Sequence, residues 1–138
     1  MRILRLHFKL NKHMKTILFY ISFSIIAFTG KAQANLIGIW KGTSLCQVKN
    51  SPCHDETVVY HISKGEAMNT FNIQANKIVN GVEEDMGTLL CKFESKTNQL
   101  ICANDKATWT FNVKDRSMNG TLIRDGNLFR IIKLSKQE

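Results

Sequence analysis

The 138-residue chain has few of the residues that mark several protein classes. One proline and eight glycines exclude collagen and the glycine- and proline-rich low-complexity proteins. Four cysteines are too few for a disulfide-dense toxin scaffold. Apolar residues make up 43% of the sequence, which is too many for an intrinsically disordered chain. The length allows one ordinary domain and little else.

Motifs of the common enzyme classes are also missing. The sequence has no glycine-rich phosphate loop, no G-x-S-x-G nucleophile elbow and no H-E-x-x-H helix, and each of these marks a particular chemistry. A C-x-x-C redox pair is absent as well, so a thioredoxin-like role is not supported. We therefore expect a domain without catalytic activity and without a cofactor.

The first 34 residues have no acidic side chain, although they carry six of the 19 lysines and arginines. An apolar segment, residues 16–30, follows the basic stretch, and Ala32-Gln-Ala34 supplies the small residues that a signal peptidase reads. This order predicts a signal peptide, residues 1–34, that is cleaved after Ala34. An uncleaved membrane anchor is the alternative, but the apolar segment is shorter than the ~20 residues of a membrane span.

The full chain has a net charge of +8, and cleavage would remove six of its basic residues. Residues 35–138 keep 13 basic and 11 acidic side chains, a net +2, and no basic run remains among them. We therefore expect no nucleic-acid partner and no membrane association after cleavage. The predicted location is periplasmic or secreted. Translation starts at Met1 or at Met14, which gives the more compact basic region.

All four cysteines lie in the predicted exported part: Cys46, Cys53, Cys91 and Cys102. An even number of cysteines in an oxidising compartment predicts disulfides. A hairpin that turns at Lys96-Thr97 places Cys91 directly opposite Cys102, with Cβ atoms ~4.5–5.5 Å apart. This pairing leaves Cys46 and Cys53 to close a short loop that contains the only proline, Pro52.

A zinc or thiol site is the alternative use of these residues. Cys53 adjoins His54, and Cys46 and His61 lie within the same sixteen positions, so zinc ligands and a Cys–His nucleophile pair are both available. However, the six residues between the cysteines exceed the usual spacing of a zinc knuckle. In an extended strand His54 and His61 also point to opposite faces. We expect a disulfide and no metal.

The rest of the chain alternates apolar and polar residues with the period of two that is typical of strands. Asn80-Gly81 and Asp125-Gly126 are hairpin signals, because a type I′ turn needs two residues with positive φ. Eight short strands are predicted: 35–48, 56–64, 70–79, 84–93, 99–103, 107–113, 118–124 and 127–134. Such a meander resolves its open edges by closing into a small up-and-down β-barrel, whose interior holds side chains or one small ligand.

Gly38-Ile-Trp40, near the start of the first strand, resembles the G-x-W signature of lipocalins and related calycin barrels. Residues 118–134 are similar to the closing hairpin of small exported bacterial lipocalin-like proteins, which implies a Gram-negative bacterial source. Lipocalins proper are longer and carry a C-terminal helix that this sequence lacks. The resemblance implies that Trp40 packs across the closed end of the barrel, and that Arg130, in the last strand, stacks over it.

The resemblance also implies a cavity that binds a small, apolar molecule. Candidates for lining this cavity or for filling the core are six aromatic residues and one arginine: Trp40, Tyr60, Phe71, Trp109, Phe111, Phe129 and Arg130. We expect a non-catalytic barrel that binds a small apolar ligand or a protein. The alternative function is a secreted inhibitor or interaction protein that acts through disulfide-tied loops such as Cys46–Cys53.

Overall fold

A computed structural model of the chain describes residues 35–138, and the predicted signal peptide lies outside these residues. Eight antiparallel strands pair in chain order, and the last pairs with the first, so the sheet closes into a barrel. The strands are β1 (Gly38–Cys46), β2 (Glu56–Lys64), β3 (Thr70–Val79), β4 (Val82–Glu94), β5 (Gln99–Ala103), β6 (Ala107–Lys114), β7 (Ser117–Arg124) and β8 (Asn127–Lys136). The predicted fold class is confirmed. None of the described residues forms a helix with the length and hydropathy to cross a membrane.

Several strand ends differ from the prediction. β1 begins at Gly38 rather than Asn35, because Leu36 lies in a turn and is fully buried. The carbonyl of Leu36 accepts a hydrogen bond of 2.8 Å from the indole N–H of Trp40. β8 continues past Leu134 to residue 136, because it pairs with β1 from Trp40 to Cys46. β4 also starts two residues earlier than predicted.

The two predicted hairpin turns are present. Asn80 and Gly81 have φ angles of 50° and 81°, and Asp125 and Gly126 have φ angles of 48° and 77°. Positive φ at both central residues fits the type I′ turn, which matches the twist of the flanking strands. These turns set the register of β3 with β4 and of β7 with β8.

Both predicted disulfides are confirmed. Cys91 lies directly opposite Cys102 on β5, and a bond joins their sulfurs inside the barrel, where each residue is 1% exposed. The second disulfide joins Cys46, at the end of β1, to Cys53. Two disulfides indicate an oxidising environment.

One end of the barrel, which we call the closed end, is filled with apolar side chains. Trp40, Phe111 and Met118 are fully buried there, and the turn that carries Leu36 lies beneath them. Gly120 lies opposite Phe111, and a Cβ at position 120 would be 2.3 Å from the Phe111 ring. Only glycine therefore allows this ring to pack flat against β7.

The predicted stacking of Arg130 on Trp40 is wrong. In the antiparallel register of β1 and β8, Trp40 lies opposite Lys136, whereas Arg130 lies opposite Cys46. Six residues of strand separate the two positions, about 20 Å at the usual rise per residue. Lys136 takes the expected place, with its Nζ 5.9 Å from the centre of the Trp40 ring.

The other end, which we call the open end, has an incomplete wall. β5 has only five residues and pairs with β4 from Cys91 to Glu94. The first part of β4, Val82–Leu90, therefore has a strand neighbour only on its β3 side within residues 35–138. The candidate site lies beside this unpaired side of β4 and the open rim of the barrel.

Candidate functional site

A cavity of about 140 Å³ lies inside the barrel toward the open end; we call it the chamber. It combines a polar cluster on one side with an apolar wall on the other. The polar cluster is Ser44, Glu56, Tyr60 and Arg130, and the rest of the lining is Ala75, Met86, Gly87, Leu89, Trp109, Leu122 and Ile132. Enclosed apolar cavities with a few convergent polar groups are typical of small-molecule sites.

A wider cavity of about 510 Å³ adjoins the chamber at the rim; we call it the vestibule. Trp109 and Leu122 line both cavities, so these two side chains mark the boundary between them. The loop between β5 and β6, residues 104–106, forms one wall of the vestibule. Arg124 and Phe129 form the other.

An ion pair occupies the polar side of the chamber. Arg130 Nη1 lies 3.2 Å from Glu56 Oε2, and the two side chains are 13% and 14% exposed. The same Nη1 donates to the carbonyl and hydroxyl oxygens of Ser44, at 3.2 and 3.3 Å, and to the carbonyl of His54, at 3.2 Å. Because Ser44 lies opposite Glu56 on the neighbouring strand, the pairing of β1 with β2 assembles this contact.

The other two nitrogens of the Arg130 guanidinium make no polar contact of this kind. Its Nε and Nη2 donate no hydrogen bond to any residue of the described part of the chain. Its Cζ lies 5.6 Å from the centre of the Phe129 ring, and Arg124 Cζ lies 5.5 Å from the same centre. A register shift in the pairing of β7 with β8 makes Phe129 the extra residue of its strand, which places it at the vestibule.

Tyr60 is the other polar group of the chamber, and it is only 3% exposed. Burial raises the pKa of its hydroxyl from 10.0 to about 12, although Arg130 lowers the pKa and Glu56 raises it further. The hydroxyl is therefore neutral at any physiological pH. No residue among 35–138 forms a hydrogen bond with it, and its ring packs edge-on against Phe111 with centroids 6.2 Å apart.

The candidate residues from the sequence divide between the two ends. Trp40, Phe71 and Phe111 are buried in the core. Tyr60, Trp109, Phe129 and Arg130 line the chamber or the vestibule. That any of them contacts a ligand stays a prediction.

Sequence reasoning missed Ser44 and Glu56. A signal for Glu56 was present, because it shares the inward face of β2 with Val58 and Tyr60 at a period of two. An acidic residue on an inward face needs a partner, and the partner, Arg130, comes from the other end of the chain. Ser44 carried no comparable signal, since a serine is unremarkable on either face.

The zinc or thiol alternative is wrong for Cys53, which is joined to Cys46 and has no free sulfur. The structure does not bring the two histidines together. His54 is exposed in the loop before β2, whereas His61 Nε2 lies 2.7 Å from Glu83 Oε2 on the outside of the barrel. That hydrogen bond, followed by one from Asn76, lowers the pKa of Glu83. No group of three potential metal ligands occurs in residues 35–138.

Compared with protein-family models, curated proteins and solved structures, the chain matches none. The barrel architecture itself fits a lipocalin-like fold.

Proposed function

We propose that this protein is an exported, non-catalytic barrel of the lipocalin-like kind that binds a small molecule. The apolar body of the ligand lies in the vestibule, and its polar group enters the chamber. One observation carries the proposal. The chamber holds a hydroxyl and part of a guanidinium that have no hydrogen-bond partner among residues 35–138.

The physical reason lies in the cost of removing polar groups from water. An unpaired buried donor costs about 1–3 kcal/mol, and a charged one costs more. The Tyr60 hydroxyl and the Nε and Nη2 of Arg130 remain accessible in the free protein, so a ligand that covers them must supply acceptors that replace their hydrogen bonds to water. The vestibule, at about 510 Å³, lies within the usual range of small-molecule sites.

Export is supported by two features. The first is the order of basic, apolar and small residues in the first 34 positions, which is typical of a secretory signal. The second is the pair of disulfides in the barrel, which persist outside reducing compartments.

A cavity-filling variant tests the proposal. The full-length chain is expressed and the purified product is titrated with N-phenyl-1-naphthylamine, a neutral apolar fluorophore, and in parallel is examined by native mass spectrometry for retained ligand. Ala75 lines the chamber and is 7% exposed, so Ala75→Leu fills existing space. The matched control is Ala103→Leu, at an exposed position on β5.

We expect the wild type and the Ala103→Leu variant to bind the probe or retain a ligand. We expect Ala75→Leu to bind at least about tenfold more weakly with unchanged or raised thermal stability, since filling a cavity stabilises a fold. Equal binding by all three proteins would place the ligand elsewhere. An absence of both probe binding and retained mass in the wild type would overturn the proposal.

A protein partner is the second candidate, and one observation favours it. The loop that Cys46–Cys53 closes is held at its base, where Asp55 accepts a hydrogen bond of 2.8 Å from the Cys46 amide and Arg130 binds the His54 carbonyl. A preorganised loop loses little entropy when a partner binds. Lys49 is an exposed residue of this loop. Inhibition of a purified extracellular protease by the wild type, abolished by Lys49→Ala, would favour this function.

A further inference from the structure

We propose that the unpaired side of β4, residues 82–90, binds an extended basic segment of a partner protein as an added β-strand. We call this side the free edge. Addition of a strand to a sheet edge is a recurring mode of peptide recognition, in which main-chain hydrogen bonds supply affinity and side-chain pairs supply specificity. The proposal goes beyond the ligand-binding function and does not depend on it.

The first step of the argument is the length of the free edge. β4 has thirteen residues, whereas β5 has five and pairs with β4 only from Cys91 to Glu94. The preceding residues, 82–90, span about 30 Å at the usual rise of a strand. Val82 and Leu90, near the two ends of this span, are 65% and 64% exposed. A strand of ordinary length therefore fits along the free edge.

The second step concerns the main chain. The N–H of Phe93 donates to the carbonyl of Asn69, on the β3 side of β4. Main-chain groups of successive residues in an antiparallel sheet point to opposite neighbours. Thr88 lies an odd number of residues from Phe93, and the register is regular between them. The main-chain groups of Thr88 therefore point to the free edge, where a partner strand can bind them.

The third step concerns how the free edge is protected. Natural proteins protect sheet edges with lysine or proline, with very short strands, or with a covering element. Residues 82–90 include no lysine and no proline. They carry instead an acidic run and a bulge, since β3 pairs with Asp85 and Gly87 through consecutive residues and skips Met86. A second copy would bring the same bend and the same acids, whereas a flexible segment of opposite charge can follow the bend.

The fourth step is the charge of the free edge. Glu83, Glu84 and Asp85 are three consecutive carboxylates. Glu83 contacts His61, and Glu84 lies 3.6 Å from Lys77 Nζ. Asp85 forms no ion pair with any of residues 35–138. Opposite charges on facing strands attract, so the free edge favours a basic partner strand.

The fifth step is the pattern of the partner strand. Glu83 and Asp85 are two residues apart, so they share one face of the sheet, and the contact of Glu83 with His61 shows that this is the outer face. Met86 and Leu89 line the chamber on the inner face. A strand that alternates basic residues outward with apolar residues inward therefore complements both faces.

The probe is a fluorescein-labelled peptide of sequence KVKVKVK, in which basic and apolar residues alternate. Its binding to the purified product of the full-length chain is followed by fluorescence anisotropy. We expect it to bind at least about tenfold more tightly than the acidic peptide EVEVEVE, because several cross-strand charge pairs change sign together. We expect the same margin over KKKKVVV, which has the same charge but no alternation.

Methylated peptides distinguish strand addition from electrostatic adsorption. Alternate amides of a strand point to the same side, so N-methylation of the odd-numbered amides blocks one edge of the peptide and that of the even-numbered amides blocks the other. We expect one methylated KVKVKVK peptide to bind within about twofold of the parent and the other to lose about tenfold or more, since only one edge of an added strand bonds to the sheet.

A pair of variants at Thr88 tests the main-chain contact from the protein side. Thr88→Pro removes the N–H that points to the free edge, and proline is tolerated on edge strands. Thr88→Ala is the matched control, because it changes the side chain and keeps the N–H. We expect Thr88→Pro to weaken peptide binding about tenfold or more and Thr88→Ala to bind as the wild type does. Thermal unfolding of both proteins checks that the barrel is intact.

A second pair of variants tests the charge. Asp85→Asn removes the negative charge but keeps the oxygen that accepts the Gly87 amide at 2.7 Å. We expect it to bind KVKVKVK about threefold more weakly, because one cross-strand charge pair is lost. Asp115→Asn makes the same change in the turn between β6 and β7 at the closed end, and we expect it to bind as the wild type does.

Each outcome supports or overturns the proposal. Absence of binding by the wild type, equal affinity for KVKVKVK and EVEVEVE, or an equal effect of both methylation patterns would overturn it. Full binding by a folded Thr88→Pro variant would do the same, and if that variant does not fold, the methylated peptides decide. A dimer in sedimentation equilibrium that Thr88→Pro converts to a monomer, with no peptide bound by the wild type, would assign the free edge to a second copy instead.

Discussion

The two ends of the barrel use the same strands for different purposes. At the closed end, Trp40, Phe111 and Met118 are fully buried and fill the space between the strands. At the open end, two inward-facing positions carry an ion pair, Arg130–Glu56, beside an unfilled cavity. The difference indicates that stability is concentrated at one end, and that the other end gives up packing for a polar chamber.

The charges reinforce this contrast. Burying a charge is costly unless it is paired and hydrogen-bonded, and Arg130 meets this requirement through Glu56, Ser44 and His54. Within residues 35–138, no charged side chain is buried in the core of the closed end. Lys136 reaches the Trp40 ring from the edge of the barrel and donates to the Asn35 carbonyl at 2.6 Å.

Replacing the two tryptophans with alanine gives the largest expected effect. Trp40→Ala should lower the free energy of unfolding by about 3–5 kcal/mol, because it leaves a large cavity in a packed core. Trp109→Ala should cost clearly less, since Trp109 is half-buried and borders existing space. Urea unfolding followed by far-ultraviolet circular dichroism measures both. Equal losses would contradict the assignment of stability to the closed end.

Removing each disulfide separates its effect on stability from its effect on probe binding. The double variants Cys91→Ala with Cys102→Ala and Cys46→Ala with Cys53→Ala should each lose about 2–3 kcal/mol, because each disulfide closes a short loop. Only the second should also weaken probe binding, since Cys46 lies opposite Arg130 and the loop supplies the His54 carbonyl. Urea unfolding and probe titration measure the two effects. Weaker binding in the first variant alone would place the ligand nearer the middle of the barrel.

Alkaline titration of Tyr60 tests whether the chamber is enclosed. The pKa of Tyr60 is raised from 10.0 to about 12, so the folded protein holds this proton more tightly than the unfolded chain. The resulting stability is fully present below pH 10 and is lost as the pH rises through 10 toward 12, about 2–3 kcal/mol in all.

Tyrosinate absorbance of the wild type minus that of Tyr60→Phe isolates this group, which is the only tyrosine among residues 35–138. Urea unfolding of the same two proteins across this pH range measures the stability change. A midpoint near pH 10 would indicate that water reaches the hydroxyl freely, which would contradict an enclosed chamber.

Much of the fold could be predicted from local sequence. The alternation of residues identified all eight strands, and Asn80-Gly81 and Asp125-Gly126 set the turns of two hairpins. The Cys91–Cys102 pairing followed from symmetry about the Lys96-Thr97 turn. These features depend on neighbours in the sequence, so the sequence alone carries them.

The position of Arg130 could not be predicted in the same way. Its place depends on the register of β8 with β1, which joins residues more than eighty positions apart. The resemblance to lipocalins predicted Arg130 over Trp40, but the register places Lys136 there. No local pattern distinguishes these two positions, because both face inward on the same strand.

Local sequence specified the eight strands, two turns, the disulfide pairs and, away from the two register shifts, the inward or outward direction of the side chains. Closure of the barrel then decides which inward side chains contact other side chains and which line a cavity. The reason is that periodicity specifies a face of the sheet, whereas closure of the barrel specifies what lies across from that face. Trp40 and Trp109 both face inward. Only the closed barrel shows that Trp40 is a buried core residue and that Trp109 lines the chamber.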